Sequence, residues 1–360
     1  MLGYEPIEVY PLSSEWQISN DYENVLTLDM ASSRYGDDGD WGPVRSLLHI
    51  QQQLEERKQD QPLALKFQFE IDPALVGSAI TLAMEDIPKQ RIFLNGIEVL
   101  EPTNGHYLDL SIERIPVSNY LIAGMNELIL MRTYRPQTSD FVNNPDVFES
   151  ERNRYVPSTN LESVYLLGAF RTLPLRGEMP APISELPGVY RCHATHYKLM
   201  QPLRTVKSQS FTEQGLWFFS GQLEITQAFP YQPDPREGHR VVLSMSEPSA
   251  AVVMICVNDQ EVATRLWAPY HIDVTDFLVE GTNRLTLKLT SGLRNTLGPH
   301  HHQQGELGFV GPSTFKGIRG WEDLIHGYNT PDRTWHDAFH FVPFGLKGPP
   351  EIIRYRTAPS

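Results

Sequence analysis

Residues 293–306, LRNTLGPHHHQQGE, hold three consecutive histidines followed by a glutamate. His300, His302 and Glu306 offer two imidazoles and a carboxylate, which are ligand types that Zn²⁺ accepts. In an extended segment adjacent side chains point to opposite faces, so only His300 and His302 share a side. No histidine at helical spacing supports them. We therefore favour a structural or interdomain loop over a ligand-facing loop, and a ligand-facing loop over a metal site.

Aromatic side chains are the second group of interest, because the apolar face of a sugar ring stacks on an exposed indole or phenol. Trp217 lies in GLWFFSG, while Trp267 and Tyr270 flank Pro269 at a strand break, where the loops of a β-sandwich cluster. Core filling is the competing interpretation and is favoured for most of the aromatic residues. The candidate ligand-binding residues are Trp217, Trp267, Tyr270, His300, His302 and Glu306.

An acidic loop, RYGDDGDWG at 34–42, contains Asp37, Asp38 and Asp40. Calcium binds loop carboxylates and carbonyls, so this stretch is a candidate calcium site. It lacks the spacing and the final glutamate of an EF-hand loop, which favours a solvated acidic turn. We predict that the protein uses no cofactor and that its candidate ligand-binding residues hold no metal. Calcium bound at the acidic loop is the alternative.

The composition bounds the class of protein. With 360 residues the chain suits two domains better than one. A formal net charge of −14 argues against a nucleic-acid partner and gives no support to binding an anionic membrane. No apolar run approaches the roughly 20 residues that span a bilayer. The start, MLGYEPIEVYPLSSEW, lacks the features of a signal peptide and reads like the interior of a longer chain, so the compartment stays unassigned.

Short strands must position these residues. LALKFQFEI (63–71) alternates apolar and polar residues with a period of two, as a half-buried strand does. Helical character is confined to 44–59, where a ragged apolar stripe predicts one surface helix. The segment WHDAFHFVPFGL (335–346) is predicted to close a second sandwich as its final strand. Further strands are predicted at 79–85, 91–100, 106–112, 126–132, 222–229, 240–247, 251–267, 270–283 and 284–290.

Two pairs of segments indicate a duplicated unit. FLNGIEV (93–99) matches CVNDQEV (256–262), and LIAGMNELIL (121–130) matches LVEGTNRLTL (278–287). The order is the same in both copies, and LNG and VND each end a strand with residues that tolerate positive φ, as a tight hairpin requires.

The asparagines give the spacing of the two copies. Asn95 precedes Asn126 by 31 residues, and Asn258 precedes Asn283 by 25. Gly and Asn in AGMN and EGTN suit a turn that admits the last strand of the unit.

These motifs resemble the sugar-binding jelly-roll domain of glycoside hydrolase family 2 and its relatives. The second unit carries the pattern in ICVNDQEV, HIDVTDFL and EGTNRLTLKL. The first carries it in IFLNGIEV, LDLSIERI and AGMNELIL, with Ser111 at the place of the expected threonine and a longer turn. VYLLGAF, GLWFFSGQLEI and LRNTLGPHHHQQGE are similar to segments flanking the C-terminal sandwich of large α-L-rhamnosidase-type glycoside hydrolases. The resemblance implies galactose-binding-like sandwiches that accompany a catalytic barrel.

The prediction is therefore an all-β chain of two tandem antiparallel jelly-roll β-sandwiches with little helix. The first spans 1–158, with an irregular lead-in and one helix, and the second spans 159–360. No stretch supplies the roughly 250 residues of a (β/α)₈ barrel.

The predicted function is a non-catalytic carbohydrate-binding and scaffold region, from the C-terminal part of a glycoside hydrolase. Its predicted partners are a carbohydrate and the catalytic domain of the same longer chain. One alternative is a complete glycoside hydrolase with its site between the sandwiches, and the other is a purely structural module. With 44 acidic residues no catalytic pair stands out from the sequence, so the catalytic residues remain unknown.

Overall fold

Antiparallel strands make up most of the molecule, which confirms the all-β class and most of the predicted strands. The computed structural model describes residues 4–55, 57, 59–135, 160–175, 181–183, 186–233, 239–298, 300–301 and 336–357.

The strands of the first part of the chain are separated by tight turns. They are β1 (Tyr4–Pro11), β2 (Glu15–Ile18), β3 (Asn24–Leu28), β4 (Met30–Tyr35), β5 (Val44–Ser46), β6 (Gln61–Ile71), β7 (Ile80–Met84), β8 (Arg91–Leu94), β9 (Ile97–Glu98), β10 (His106–Tyr107), β11 (Asp109–Pro116) and β12 (Gly124–Tyr134).

The remaining strands follow in chain order. They are β13 (Val164–Gly168), β14 (Arg171–Leu175), β15 (Ala181–Ile183), β16 (Leu186–Cys192), β17 (His196–Met200), β18 (Thr205–Lys207), β19 (Gln222–Tyr231), β20 (His239–Ser244), β21 (Val252–Val257), β22 (Gln260–Arg265), β23 (His271–Asp273), β24 (Gly281–Thr290), β25 (Phe339–Phe341) and β26 (Glu351–Thr357).

Helical structure is limited to short pieces. Helix α1 spans Leu47–Glu55 and α2 spans Arg294–Leu297, and four 3₁₀ turns cover Pro73–Leu75, Ile87–Lys89, Ser118–Tyr120 and Thr275–Phe277. Neither α-helix in the described part has the length and apolar character needed to cross a membrane. The predicted helix at 44–59 is shorter than expected, because Val44–Ser46 pairs with β4 as strand β5. Leu47, Ile50 and Leu54 form its buried face.

The first sandwich packs two sheets around one apolar core. One sheet has the order β10-β11-β7-β13-β3, and the other has the order β14-β17-β6-β12-β8-β9, with β4 also paired to β6 and β5 paired to β4. Leu65, Phe67, Phe69 and Ile71 of β6 are buried at every second position, as the alternation of the sequence predicts.

The second sandwich has its own core, also between two sheets. Its sheets have the orders β18-β2-β19-β24-β21-β22 and β1-β26-β20-β23. Trp16, fully buried in this core, donates from its indole Nε1 to Ser208 Oγ over 2.9 Å. The two cores are separate clusters, as a two-sandwich architecture requires.

The strands of the two cores are interleaved along the chain. β1 and β2 belong to the second sandwich, because β1 pairs with β26 and β2 pairs with β18 and β19. β13, β14 and β17 follow residue 158 and yet belong to the first sandwich, through β3, β7 and β6. A single cut at residue 158 therefore does not separate the two cores.

The described part of the segment 335–346, which was predicted to close the second sandwich, contacts both cores. β25 pairs with β16 rather than with a strand of the second sandwich, and its Phe339 and Phe341 lie in the first core. Phe344 and Leu346, a few residues later, lie in the second core. The prediction for 335–346 is corrected accordingly: β26 is the final strand of the second sandwich, and residues 339–346 connect the cores.

The first copy of the duplicated unit is held by a pair of asparagines. Asn95, at φ 53°, donates from Nδ2 to Asn126 Oδ1 over 2.8 Å and to the Tyr120 carbonyl over 2.9 Å. Its Oδ1 accepts from Glu127 N over 3.0 Å, and Asn126 Oδ1 accepts from Ile122 N over 3.0 Å. The hairpin, the 3₁₀ turn and the last strand are thus fastened at one point.

The second copy repeats these bonds. Asn258, at φ 49°, donates from Nδ2 to Asn283 Oδ1 over 2.7 Å and to the Phe277 carbonyl over 2.9 Å. Its Oδ1 accepts from Arg284 N over 2.9 Å, and Asn283 Oδ1 accepts from Val279 N over 2.9 Å. The duplication predicted from the sequence is confirmed bond for bond, and we call each arrangement an asparagine clasp.

One part of the sequence alignment between the copies was wrong. Thr275 Oγ1 accepts from Val241 N over 2.9 Å, and its counterpart in the first copy is Ser118, whose Oγ accepts from Ile80 N over 2.9 Å. Ser111 instead donates to Glu85 Oε1. Ser118 precedes Asn126, and Thr275 precedes Asn283, by the same number of residues. The first copy's additional residues therefore all lie between the hairpin and the 3₁₀ turn.

Candidate functional site

Two of the three consecutive histidines, His300 and His301, lie inside the protein. His300 and His301 are 4% and 3% exposed, and both approach Asp29, which lies between β3 and β4. His301 Nε2 is 2.8 Å from Asp29 Oδ2 and its Nδ1 is 2.9 Å from the Ala338 carbonyl. Both ring nitrogens of His301 therefore face oxygen acceptors.

The second imidazole is held differently. His300 Nε2 donates to the Asn295 carbonyl over 2.9 Å, and its Nδ1 lies 3.8 Å from Asp29 Oδ2. Burial lowers the pKa of His300, which favours the neutral ring. Burial alone would raise the pKa of Asp29, but the hydrogen bonds and charges of His300 and His301 hold it well below its usual range. Asp29 is therefore a paired carboxylate.

The residues around these histidines join the end of β24 to the first core. Thr27 Oγ1 donates to the Thr296 carbonyl over 2.9 Å, and Thr296 Oγ1 donates to the Phe218 carbonyl over 2.6 Å. His336 N and His340 N donate to the carbonyls of His301 and His300. These contacts give the segment the role of a connection between the sandwiches, which is the interpretation we favoured.

The other members of the predicted cluster cannot be placed beside them. His302 and Glu306 lie outside the described residues. Within the described part of the chain, no three His, Cys, Asp or Glu side chains are arranged to hold a metal ion.

The predicted aromatic residues have different environments. Trp217 is 4% exposed, and its ring packs 5.2 Å from that of Phe341. Tyr270 is also buried, in the second core. Trp267 is 72% exposed and offers a free indole surface. Trp217 and His300 share the aromatic neighbour Phe341, whereas Trp267 and Tyr270 lie on the second sandwich. The structure thus brings these predicted residues together in two groups rather than one.

A groove of about 490 Å³ opens between the two sandwiches. One wall consists of β14 and β17 of the first sandwich, and the other consists of β2, β18 and the loop that leads to Trp217. Its volume lies within the range of about 300–1,000 Å³ that is common for small-molecule sites. Because each wall belongs to a different sandwich, the groove exists only when both are in place.

Gly215 allows the walls to approach each other. Its φ is +116°, and a Cβ at this position would lie 2.9 Å from Cβ of Arg171. The Gly215 carbonyl accepts hydrogen bonds from Thr172 N and from Asn24 Nδ2. Gln214 fixes the same loop, because its Oε1 accepts from Lys207 N over 2.8 Å. The floor of the groove is therefore preorganised.

The rim of the groove carries mixed charges and apolar surface. Glu15 and Glu213 provide carboxylates, Arg171 and Lys207 provide cations, and Leu173 is 42% exposed between them. Glu213 Oε2 accepts from the hydroxyl of Tyr190 over 3.1 Å. Among the described residues, the side-chain tips of Arg171 and Lys207 make no hydrogen bond to protein. These groups can donate to and accept from the hydroxyls of a ligand.

Sequence reasoning missed most of this groove. Of the predicted residues that the structure describes, only Trp217 lines it. Glu15, Arg171 and Lys207 come from distant parts of the chain, so no local spacing could have joined them. The one available signal was Glu213, which shortly precedes Trp217 in SFTEQGLW.

A second carboxylate group sits in a far smaller cavity. Partial desolvation of its carboxyl and the nearby charge of Glu85 raise the pKa of Glu162, whose side chain is exposed. Glu85, Asp86 and Arg132 line the same cavity, whose volume is about 20 Å³. That volume suits a single water molecule and not a sugar ring.

The comparisons with known proteins give no family. No protein-family model matches the chain, and no curated protein matches it. Among solved structures, it is similar to a rhamnosidase from Novosphingobium sp. PP1Y, with 13% identity and a TM-score of 0.27 over 90% of this chain and 25% of that chain.

Two further solved structures are similar to the chain at equally low identity and TM-score. A β-D-mannosidase from Dictyoglomus thermophilum has 15% identity and a TM-score of 0.25 over 79% of this chain and 31% of that chain. A glycosyl hydrolase family 2 member from Bacteroides cellulosilyticus DSM 14838 has 12% identity and a TM-score of 0.29 over 75% of this chain and 32% of that chain. The chain spans about a quarter to a third of the length of these proteins. TM-scores this low carry no argument about function, which must come from the contacts of the chain itself.

Proposed function

We propose that this chain is a non-catalytic carbohydrate-binding and scaffold region of a glycoside hydrolase, with galactose-binding-like sandwiches. The observation that carries the proposal is the groove between the sandwiches. It combines exposed apolar surface with carboxylate, guanidinium, ammonium and amide groups. Carbohydrates need that combination, because a sugar ring has apolar C–H faces and a rim of hydroxyls that both donate and accept.

The geometry gives little room for hydrolysis by the chain itself. Glycoside hydrolysis uses two carboxyl groups across the scissile bond, and the general acid has a raised pKa. Among the described residues, the carboxyl whose pKa is raised is Glu162, and its cavity of about 20 Å³ does not admit a sugar ring. In the groove, Glu213 already accepts the hydroxyl of Tyr190. We therefore assign the groove to binding.

The scaffold role rests on the hydrogen-bonded connection between the sandwiches and on their exposed apolar side chains. Leu100 and Leu110 on the first sandwich are 80% and 79% exposed, and Leu266 and Trp267 on the second are 54% and 72% exposed. We propose that the catalytic domain of the same longer chain is the protein partner and that carbohydrate is the ligand. Trp267 is retained as a candidate sugar contact outside the groove.

One alternative has a specific observation in its favour. Glu15 and Glu213 face the same groove from different strands and loops. A complete glycoside hydrolase with its site between the sandwiches would use such a pair. A purely structural module would use neither the pair nor the groove.

Binding and hydrolysis can be measured on the same protein. We expect neutral oligosaccharides from a glycan array to bind, with calorimetry confirming each hit. Arg171→Ala and Glu213→Ala should weaken binding about tenfold each, since each removes charged hydrogen bonds to the ligand. Asp276→Ala, which removes an exposed carboxylate on the second sandwich, is the matched control and should leave binding unchanged.

Three outcomes would decide against the proposal. Hydrolysis of aryl glycosides by the purified chain, lost in Glu15→Gln or Glu213→Gln, would establish the enzymatic alternative. The absence of any glycan hit would leave the structural module. Binding that is lost in Trp267→Ala and retained in both groove variants would move the site to the Trp267 loop.

A further inference from the structure

A second cavity lies at the seam where the chain passes from the second sandwich to the first. Its volume is about 200 Å³. Asp21 and Tyr22, between β2 and β3, form one side. Tyr107 of the first sandwich and the turn from Phe219 to Gln222 of the second form the others. This volume is below the range of about 300–1,000 Å³ typical of drug-sized ligands, which limits the occupant to one small ring.

This cavity is distinct from the groove but shares a wall with it. The hydroxyl of Tyr22, which lines the cavity, accepts from Leu203 N over 2.8 Å, and Leu203 lines the groove. Asn24 lines the cavity and donates from Nδ2 to the carbonyl of Gly215, which also lines the groove. The two spaces are neighbours along one seam.

The walls of the cavity are aromatic and fixed in place. The rings of Tyr22 and Phe219 meet edge to face with centroids 6.1 Å apart. The Tyr107 and Ser220 hydroxyls are 3.2 Å apart and join the two sandwiches. Burial raises the pKa of Tyr22 to about 12 and raises that of Tyr107, so both phenols are neutral at physiological pH. Phe219 and Tyr107 are 1% and 7% exposed and form the buried base of the cavity, so the half-buried ring of Tyr22 is the aromatic surface on which an apolar ring face can pack.

The charges at the opening determine whether a neutral or a charged sugar can bind. Glu23 accepts two hydrogen bonds from Arg114, over 3.0 and 2.8 Å, so the guanidinium balances its negative charge. Asp21 is exposed, and among the described residues its carboxylate makes no hydrogen bond or ion pair. The opening therefore carries one uncompensated negative charge and two strong acceptor oxygens. Hydroxyl donors are favoured there, and an anionic sugar is repelled.

We propose that this cavity is a second carbohydrate subsite, which takes one neutral monosaccharide ring with its hydroxyls on Asp21 and its apolar face on the ring of Tyr22. The inference rests on the proposed carbohydrate-binding function and adds a location and a ligand class to it. The ring is either a free sugar or the terminal unit of a glycan, and both present the same chemistry to the cavity.

Ligand-observed NMR on the full chain tests the subsite with D-galactose, D-glucose and D-mannose as probes. We expect at least one of them to bind, and Asp21→Ala to weaken that binding about fivefold through loss of charge-assisted hydrogen bonds. D-galacturonate should bind more weakly than D-galactose. Asp276→Ala is the matched control and should leave the affinity unchanged. The methyl glycoside and a disaccharide ending in the same sugar separate a free sugar from a terminal unit.

The outcomes separate this inference from the proposed function. If Arg171→Ala abolishes oligosaccharide binding while no neutral monosaccharide binds, the groove stands and the subsite is overturned. Monosaccharide binding that is equal in the parent chain and in Asp21→Ala also overturns it. Monosaccharide binding lost in Asp21→Ala and retained in Arg171→Ala supports the subsite. The absence of all carbohydrate binding defeats both proposals.

Discussion

The two copies of the duplicated unit share the hydrogen bonds of the clasp and differ most in the loop before the 3₁₀ turn. Each has an asparagine at left-handed φ, a buried partner asparagine and a 3₁₀ turn with a hydroxyl that accepts a backbone N–H. The first copy has its additional residues between the hairpin and the turn. These include Leu108, which is exposed and has a φ of 61°. The hydrogen bonds of the clasp are therefore kept in both copies, whereas the length of the loop beside it differs.

A second difference lies beyond the clasps. The chain leaves the second copy through β24 and then places His300 and His301 against Asp29 of the first sandwich. This contact makes the sandwiches unequal, because one supplies the segment and the other buries it. We expect substitutions at this asymmetric contact to have larger effects than substitutions in the two equivalent clasps.

Asp29→Asn should have the largest effect. It leaves His301 without its charged partner, and breaking a buried ion pair costs about 3–5 kcal/mol of unfolding free energy. Denaturant unfolding followed by tryptophan fluorescence measures the loss. Asp276→Asn, which removes an exposed carboxylate, is the control and should be neutral within about 0.5 kcal/mol. A loss below about 1 kcal/mol in Asp29→Asn would mean that the contact does not hold the sandwiches together.

The same cluster predicts that acid destabilises the protein. Burial lowers the pKa of His300 from 6.5, and burial with the charges of His301 and Arg191 lowers the pKa of His336 from 6.5 to about 4. The unfolded chain therefore binds more protons than the folded chain below pH 6.5, so stability falls as pH drops from about 6.5 towards 4.

Asp29 acts in the same direction at lower pH. Its folded pKa is depressed, so its contribution is complete above about pH 4 and is lost as the pH falls further. Thermal melts between pH 7.5 and 3.5 measure the dependence. His336→Gln should flatten the upper part of the curve, and an equal slope in this variant would contradict the assignment.

The clasps should be equivalent. Asn126 and Asn283 are both fully buried, and each bonds through both side-chain atoms. Truncation leaves buried backbone groups unpaired, so Asn126→Ala and Asn283→Ala should each cost about 2–4 kcal/mol. Asn119→Ala, on the exposed side of the first 3₁₀ turn, is the control. A difference above about 1.5 kcal/mol between the two clasp variants would show that the copies are not energetically alike.

The glycines that lead into the last strands give a smaller effect. Gly124 and Gly281 have φ of +85° and +98°, and a Cβ at either would meet no atom within 4 Å. Alanine there suffers only backbone strain, so each substitution should cost about 1–2 kcal/mol, equally in both copies. Gly292→Ala, where a Cβ is also free of contacts and no positive φ is required, is the comparison and should cost less.

The smallest effect concerns the hairpin itself. Asp259 occupies the position of Gly96, at φ 66°, and forms an exposed ion pair with Arg284. Asp259→Gly relieves the left-handed strain and loses a surface pair worth about 0–1 kcal/mol, so stability should rise by less than about 0.5 kcal/mol. A clear loss of stability would assign the ion pair a larger role.

Local pattern was enough for the strands and the duplication. Period-two alternation within β6 is enough to predict that Phe67 and Phe69 lie in a core, and both are fully buried. The LNG and VND hairpins predict a left-handed backbone at Asn95 and Asn258, because few other residues tolerate that φ. The alignment failed between the hairpin and the 3₁₀ turn, where a serine and a threonine alone could not fix the register. Ser118 was recognisable only through its bond to Ile80.

The sequence by itself determined the all-β class, the duplicated segments and their hairpins, since each depends on residues close together in the chain or on a repeated motif. Only the tertiary structure decided that β1 and β2 join the second sandwich, that His300 and His301 are buried against Asp29, and that Glu15, Arg171 and Glu213 line one groove. The physical reason is that strand pairing between distant segments is chosen by the packing of whole cores, and no local spacing records it.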